Sequence, residues 1–354
     1  MRLAPLHSIL AAALLLAPAM ASAQGSKNGP GGAAATNQAS GVEQVYGPQL
    51  EGFEYPFPTA DFTLTSQRQS LTMGYMDIRP EQPNGRSIVL LHGKNFCGAS
   101  WEQTIGALRD AGWRVVVPDQ IGFCRSSKPD GYQFSLHQLA ANTHALLTEL
   151  GIRRAVVMGH SMGGMLAARY ALMYPEETEG LVMVNPIGLE DWEAAGVPHQ
   201  TVDQWFTAEQ RTSPDSIRAY QRATYYAGTW EPRYERWVQM QAGMYAGPGR
   251  DRVLWNQAQA SDMIFTQPVL YQFPTIRVPT LLLSGDKDNT AIGKAAAPRD
   301  LQPKLGDYPA LAPRAAEAIP NSKLVRFEDL GHSPQIQDPE RFHRTLLQEL
   351  KALR

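Results

Sequence analysis

A chain of 354 residues with a formal charge of -2, 43% hydrophobic and 19% charged residues has the balance of a globular protein with one large core. Its Lys and Arg are scattered, which excludes the basic footprint of a nucleic-acid binder. Beyond the first residues no stretch is apolar for long enough to cross a bilayer, and two Cys without clustered His argue against a metal site.

The beginning of the chain stands apart. Arg2, the apolar run 9–16 and Ala21-Ser22-Ala23 form the charged, apolar and small-residue pattern of a secretory signal, residues 1–23, cleaved after Ala23. The run is short for a membrane anchor, and no Cys follows the cleavage site to carry a lipid. A periplasmic or secreted protein is expected. Residues 24–47, rich in Gly, Ala, Ser, Asn and Pro, read as a flexible leader too poor in apolar residues to pack.

Residues 62–66 and 71–78 alternate like the strands of an antiparallel hairpin. Short continuous apolar runs follow at 87–92, 114–118, 155–159, 180–185, 279–285 and 323–327, as strands buried on both faces require. Helical patterns lie between them at 101–111, 135–150 and 162–174, with a last one at 339–353. Strands alternating with helices predict an α/β fold with a mostly parallel, doubly wound sheet. Residues 188–274 break the alternation with several helical patterns and no strand. They are expected to form a helical cap inserted into a core of 48–187 and 275–354. The stretch 294–320, rich in Ala and Pro, is long for a connection and has no account at this level.

The strand at 155–159 runs directly into Gly159-His160-Ser161-Met162-Gly163-Gly164, a G-x-S-x-G sequence between a buried strand and a helix. A sharp turn there holds the Ser in a strained backbone conformation, and bulk two residues to either side would collide. The hydroxyl of Ser161 then stands at a helix N-terminus, where developing negative charge is favoured. Met162 would supply a backbone N–H to an oxyanion. These features make Ser161 the candidate nucleophile.

Together with Leu91-His92-Gly93, Pro118-Asp119-Gln120-Ile121-Gly122-Phe123, Gly285-Asp286-Lys287-Asp288 and Gly331-His332, this motif resembles the α/β-hydrolase family, from Phe62 to Leu353. The resemblance implies His332 as the base, in the chain order Ser, acid, His. It implies Asp288 as the acid, with Asp286 the rival and Glu190 or Asp191 a remoter option. His160 is expected to point away into the core and His92 to order the oxyanion loop. His137, His144 and His199 read as surface or cap residues. The second oxyanion donor would be the backbone N–H of Lys94, although Lys94-Asn95-Phe96-Cys97 departs from the family's commoner patterns. Cys97 and Cys124 follow two strands that are neighbours in the family. With export, a Cys97–Cys124 disulfide bracing the oxyanion loop is favoured over two buried free thiols.

A Ser-His-Asp set with an oxyanion hole implies acyl transfer to water, with no cofactor. A Ser nucleophile argues against dehalogenase and epoxide-hydrolase chemistry, where relatives use Asp. A carboxylic ester hydrolase comes first. C–C bond hydrolysis, an aminopeptidase activity (whose elbow usually carries Trp where this chain has Met162) and a non-catalytic binding protein are the alternatives. Trp192, Trp205, Tyr225, Tyr226, Trp230, Trp237 and Tyr245 suggest an apolar pocket for a small-molecule substrate, or else the core of the cap itself.

Overall fold

The apolar runs form the middle of a single eight-stranded sheet. Strands β1 (Ala60–Ser66) and β2 (Gln69–Ile78) make the antiparallel hairpin, and β2 pairs antiparallel with β4 (Arg114–Pro118). From β4 onward the sheet is parallel through β3 (Ser87–Leu91), β5 (Ala155–His160), β6 (Thr178–Val184), β7 (Thr280–Gly285) and β8 (Ser322–Phe327). This is a computed structural model that describes residues 41–353. The expected secretory signal and the first part of the leader lie outside the described residues.

The helices, in chain order, are α1 (Glu102–Asp110), α2 (Leu136–Glu149), α3 (Met162–Met173), α4 (Val202–Gln210), α5 (Pro214–Tyr220), α6 (Glu235–Tyr245) and α7 (Arg250–Thr266). After β7 come α8 (Tyr308–Ala318), α9 (Pro334–Gln337) and α10 (Pro339–Ala352). Side chains alternate across the sheet as the strand period demands. Ile88, Leu90, Val156 and Met158 join one core with Ile105, Leu108, Phe342 and Leu346 of α1 and α10. Val89, Leu91, Val157 and Met183 join the other, with Leu139, Leu146 and Leu166 of α2 and α3. Each such side chain taken from water contributes about 1.5–3 kcal/mol before the entropy of ordering is subtracted. At the sheet's edge β8 instead turns Lys323 and Arg326 outward, which discourages pairing with another chain.

Three features were not foreseen. The β1–β2 turn places Gln67 and Arg68 at φ 49° and 64° without any Gly, and Gln67 is held by a two-way hydrogen bond with the backbone of Gln133. Residues 43–47, expected as the end of an unpacked leader, lie along α6. Glu43 N donates to Gln239 Oε1 and Tyr46 N to Gly243 O. Tyr46 and Leu50 are buried there, because a Cβ at Gly243 or Gly247 would meet the incoming backbone at 2.4 and 1.9 Å. The stretch 294–320 contains α8, which packs on β7 and β8 as the crossover that two parallel strands need.

His343 of α10 meets Thr104 of α1 at 2.9 Å, and burial pushes its pKa down to about 4. The unfolded chain takes up a proton on this imidazole below about pH 6.5, whereas the folded chain resists it until about pH 4. The unfolded state therefore binds more protons in that window, and stability falls as the pH drops through it, by up to about 3 kcal/mol. Urea melts at pH 7 and 4.5 are expected to show a shallower acid loss in His343→Gln than in the wild type; parallel losses would contradict the assignment.

The sheet order puts β3 between β4 and β5. The chain leaves β3 toward α1 on one face and β5 toward α3 on the other. A crevice opens at the carboxyl ends of β3 and β5, the place where open α/β sheets bind ligands.

Candidate active site

Ser161 sits at that crevice, between the last residue of β5 and the first of α3, with φ 59° and ψ -121°. For a residue with a Cβ this is strained backbone, and the surroundings over-determine it. Ser161 N donates to Val184 O at 3.1 Å, and its own carbonyl accepts from Gly164 N at 2.9 Å. A Cβ at Gly159 would lie 1.8 Å from Gly163 O, and one at Gly163 would lie 2.1 Å from Leu91 O. Gly93 closes the other side: a Cβ there would be 3.0 Å from the Cβ of Ser161. The glycines are thus the condition for bringing β3, β5 and α3 together around one hydroxyl.

His332 follows β8 through a loop whose backbone is pinned from outside the core. His332 N and Ser333 N donate to Thr224 O and Tyr225 O, each at 3.1 Å. The imidazole Nδ1 meets Asp288 Oδ2 at 2.6 Å, and both side chains are fully buried. Asp288 accepts further from Asn185 Nδ2 at 2.9 Å and from Thr290 N at 2.8 Å, so its carboxylate cannot swing. His332 Nε2 is buried and has no hydrogen-bond partner among the described residues. Of the acidic candidates, Asp288 is the one brought to His332. Asp286 forms a two-pronged pair with Arg326 at 3.0 and 2.7 Å, Glu190 accepts from Gly306 N, and Asp191 from Tyr271.

His160 departs from expectation. It does not turn away from the site: its Nε2 donates to the carbonyl of His332 at 2.7 Å, with the two rings 4.8 Å apart. Burial first, and then the neighbouring His332, hold its pKa well below the ordinary range. A neutral imidazole donor there fixes the His332 backbone. His92 donates from Nδ1 to Gly93 O at 2.9 Å and accepts the Gln120 N–H at Nε2, which ties the loop after β3 to the loop after β4. His144 pairs with Glu177 and His199 lies beside Asp262; neither reaches the crevice. The backbone N–H groups of Lys94 and Met162 have no acceptor among the described residues. Asn185, which ends the apolar run before the inserted helices, carried no signal that it would hold Asp288.

The family model for the alpha/beta hydrolase fold matches residues 86–339. The chain belongs to this family. A crystal structure of a probable hydrolytic enzyme from Pseudomonas aeruginosa PAO1 is 60% identical, with a TM-score of 0.86 over 87% of this chain and 98% of that one. The 2-hydroxymuconate semialdehyde hydrolase of Pseudomonas putida is 26% identical over 78% of this chain and 91% of its own length. Lipase 1 of Psychrobacter immobilis is 25% identical over 72% and 73%. With these relatives the chain is a hydrolase of the alpha/beta hydrolase fold.

The expected Cys97–Cys124 disulfide is not formed; both are buried free thiols. Their sulfurs lie within 4.8 Å of each other and of the Asp119 carboxylate. Besides each other they contact Met240 Sδ (3.3 Å from Cys97 Sγ) and Phe96 O (3.8 Å from Cys124 Sγ), whereas a bond needs sulfurs about 2.05 Å apart. Asp119 already accepts from Gly98 N, Arg125 N and Tyr55 Oη. The ammonium of Lys128, whose pKa burial lowers to about 8, donates to the carbonyls of Cys124 and Ser126. The cluster stitches the loops after β3 and β4 together.

Between those loops and the inserted helices lies a cavity of about 750 Å³. Lys94, Asn95, Thr224, Asn289 and Thr290 line it, the last two directly after Asp288 in the chain and Thr224 bonded through its carbonyl to His332 N. Of the seven aromatics that suggested a pocket or else the core of the cap, Trp205 lines this cavity, while Trp237 and Tyr245 line smaller hollows. The others pack on one another and on the core, as Tyr226 does on Tyr234 at 3.7 Å, and Tyr225 on His332 at 5.0 Å. The cavity wall mixes apolar Ala208, Ile217 and Ile292 with polar Gln200, Gln221 and Gln241.

Proposed function

We propose that this hydrolase is an exported serine enzyme that cleaves carboxylic esters by acyl transfer to water. The reading is carried by one observation: a strained Ser161 at a helix start, next to His160 that donates to the His332 carbonyl, with His332 buried, its Nδ1 held by Asp288 and its Nε2 without a hydrogen-bond partner among the described residues. The Ser161 hydroxyl attacks the ester carbonyl while Nε2 of His332 takes its proton. Asp288 keeps the proton of the neutral imidazole on Nδ1 and stabilises the imidazolium that forms. The oxyanion is received by the N–H groups of Lys94 and Met162, which have no competing acceptor. Nε2–H then protonates the departing alcohol, water attacks the acyl enzyme with His332 again as base, and the acid is released. The side chain of Lys94 stays out of the chemistry, paired with Glu209 of α4 at 2.5 Å.

The mixed cavity supports esters of small to medium acids with a largely apolar body. Turnover of p-nitrophenyl acetate, butyrate, octanoate and palmitate is the test. Activity is expected to peak at intermediate length and to vanish in Ser161→Ala; no turnover of any ester by folded wild-type protein would remove the ester reading. Export, supported by the amino-terminal pattern, predicts a mature protein beginning at Gln24 in a periplasmic or extracellular fraction.

A further inference from the structure

We infer that the cavity lined by the loops next to Asp288 and Gly93 holds a subsite for an amide group of the substrate, with Gln221 as its hydrogen-bonding partner; this rests on the ester-hydrolase reading and narrows it. Gln221 begins a π-helical turn (Gln221–Tyr225) that continues α5, and such turns carry one extra residue and recur at functional sites. The same turn gives its Thr224 and Tyr225 carbonyls to the backbone of His332 and Ser333. The position of Gln221 is thereby fixed relative to the base.

Gln221 lines the cavity, is 1% exposed, and neither Nε2 nor Oε1 has a partner among the described residues. Buried amides are nearly always paired, and an unpaired one is costly to keep. In the same wall the indole Nε1 of Trp205 is also buried without an acceptor. The charged side chains of the cavity are engaged: Lys94 with Glu209, and Lys294 with the carbonyls of Asn289 and Leu305. A substrate carboxylate would face the oxygen of Gln221 and leave it unpaired. A secondary amide satisfies both ends, its N–H donating to Oε1 and its C=O accepting from Nε2. The preferred ester therefore carries an amide in an otherwise apolar acyl chain.

Two esters of equal chain length separate this from simple hydrophobic selection: p-nitrophenyl hexanoate, and p-nitrophenyl N-acetyl-β-alaninate, in which an amide interrupts the same chain. The wild type is expected to favour the amide ester in kcat/KM. Gln221→Leu is expected to lower the ratio of amide to hexanoate turnover by about 10-fold or more, with a melting temperature at or above that of the wild type. Gln221→Met provides the same reading if the Leu variant folds poorly. Binding of unreactive N-butylacetamide, followed by calorimetry, should weaken in parallel. An unchanged ratio with unchanged amide binding would overturn the subsite, as would a lowered melting temperature with the ratio intact, which marks a purely structural Gln. Failure of the serine-hydrolase reading would look different: neither ester turned over by the wild type, with N-butylacetamide binding still reporting on Gln221.

Discussion

Asp288→Asn is expected to lower kcat by roughly 10³ to 10⁴-fold while leaving the fold intact. The present carboxylate accepts the Nδ1 proton of His332 at 2.6 Å, and its second oxygen is held by Thr290 N. An Asn side chain fits the same space. Its amide nitrogen, turned toward Nδ1, would select the tautomer with the proton on Nε2, which cannot accept the proton of Ser161. Asp286→Asn is the matched control. It lies two residues away and forms a two-pronged pair with the solvent-exposed Arg326 instead of His332, so its loss should change kcat by less than about threefold. Steady-state kinetics with p-nitrophenyl butyrate and a thermal melt of both variants decide it. Equal losses in the two would contradict the assignment of the acid.

The second large effect is steric. Gly159→Ala places a methyl 1.8 Å from the carbonyl oxygen of Gly163, a backbone atom that has no rotamer by which to move aside. The start of α3 would have to separate from β5, taking the Ser161 turn apart. A destabilisation of about 3 kcal/mol or more is expected, together with loss of esterase activity. Gly106→Ala in α1 is the contrasting case, because nothing lies within 4 Å of its added methyl. Removing a Gly from a helix interior there is expected to stabilise by about 0.5–1 kcal/mol. Melting both proteins tests the pair; similar behaviour would mean that the turn tolerates a Cβ and the strain argument fails.

These contrasts also mark what could be read from the amino acids. The turn at Ser161 was legible because its glycines have one steric solution, with a strand before them and a helix after. The five inner parallel strands were legible because burial on both faces leaves little room for polar residues within a run, and the edge strand β8 was read with them despite Lys323 and Arg326. Asp288 could be favoured over Asp286 by resemblance, but the physical reason is a hydrogen bond from Asn185, more than 100 positions away, and no local pattern encodes it. The same holds for His160. Its donation to the carbonyl of His332 depends on where a distant loop returns, so its neighbourhood in sequence suggested burial and nothing more.

The inserted helices were legible as an element and illegible in detail. Aromatic residues signal apolar burial, but whether they face a cavity or one another is decided by packing between α4, α5, α6 and the loop after β3. Here most face one another, and the cavity wall receives glutamines that composition would assign to the surface. The Cys pair failed for a related reason. Strand adjacency brought the sulfurs within 4.8 Å of each other, but it does not set the sulfur-to-sulfur geometry that a bond needs, and both are free thiols.

The central claim is that Ser161 is an activated nucleophile, and fluorophosphonate labelling of the full chain followed by peptide mapping tests it most directly. The account predicts a single phosphonylated peptide containing Ser161, lost in Ser161→Ala and strongly slowed in Asp288→Asn. A folded wild-type protein that takes up no label, or labels equally well in Ser161→Ala, would contradict it.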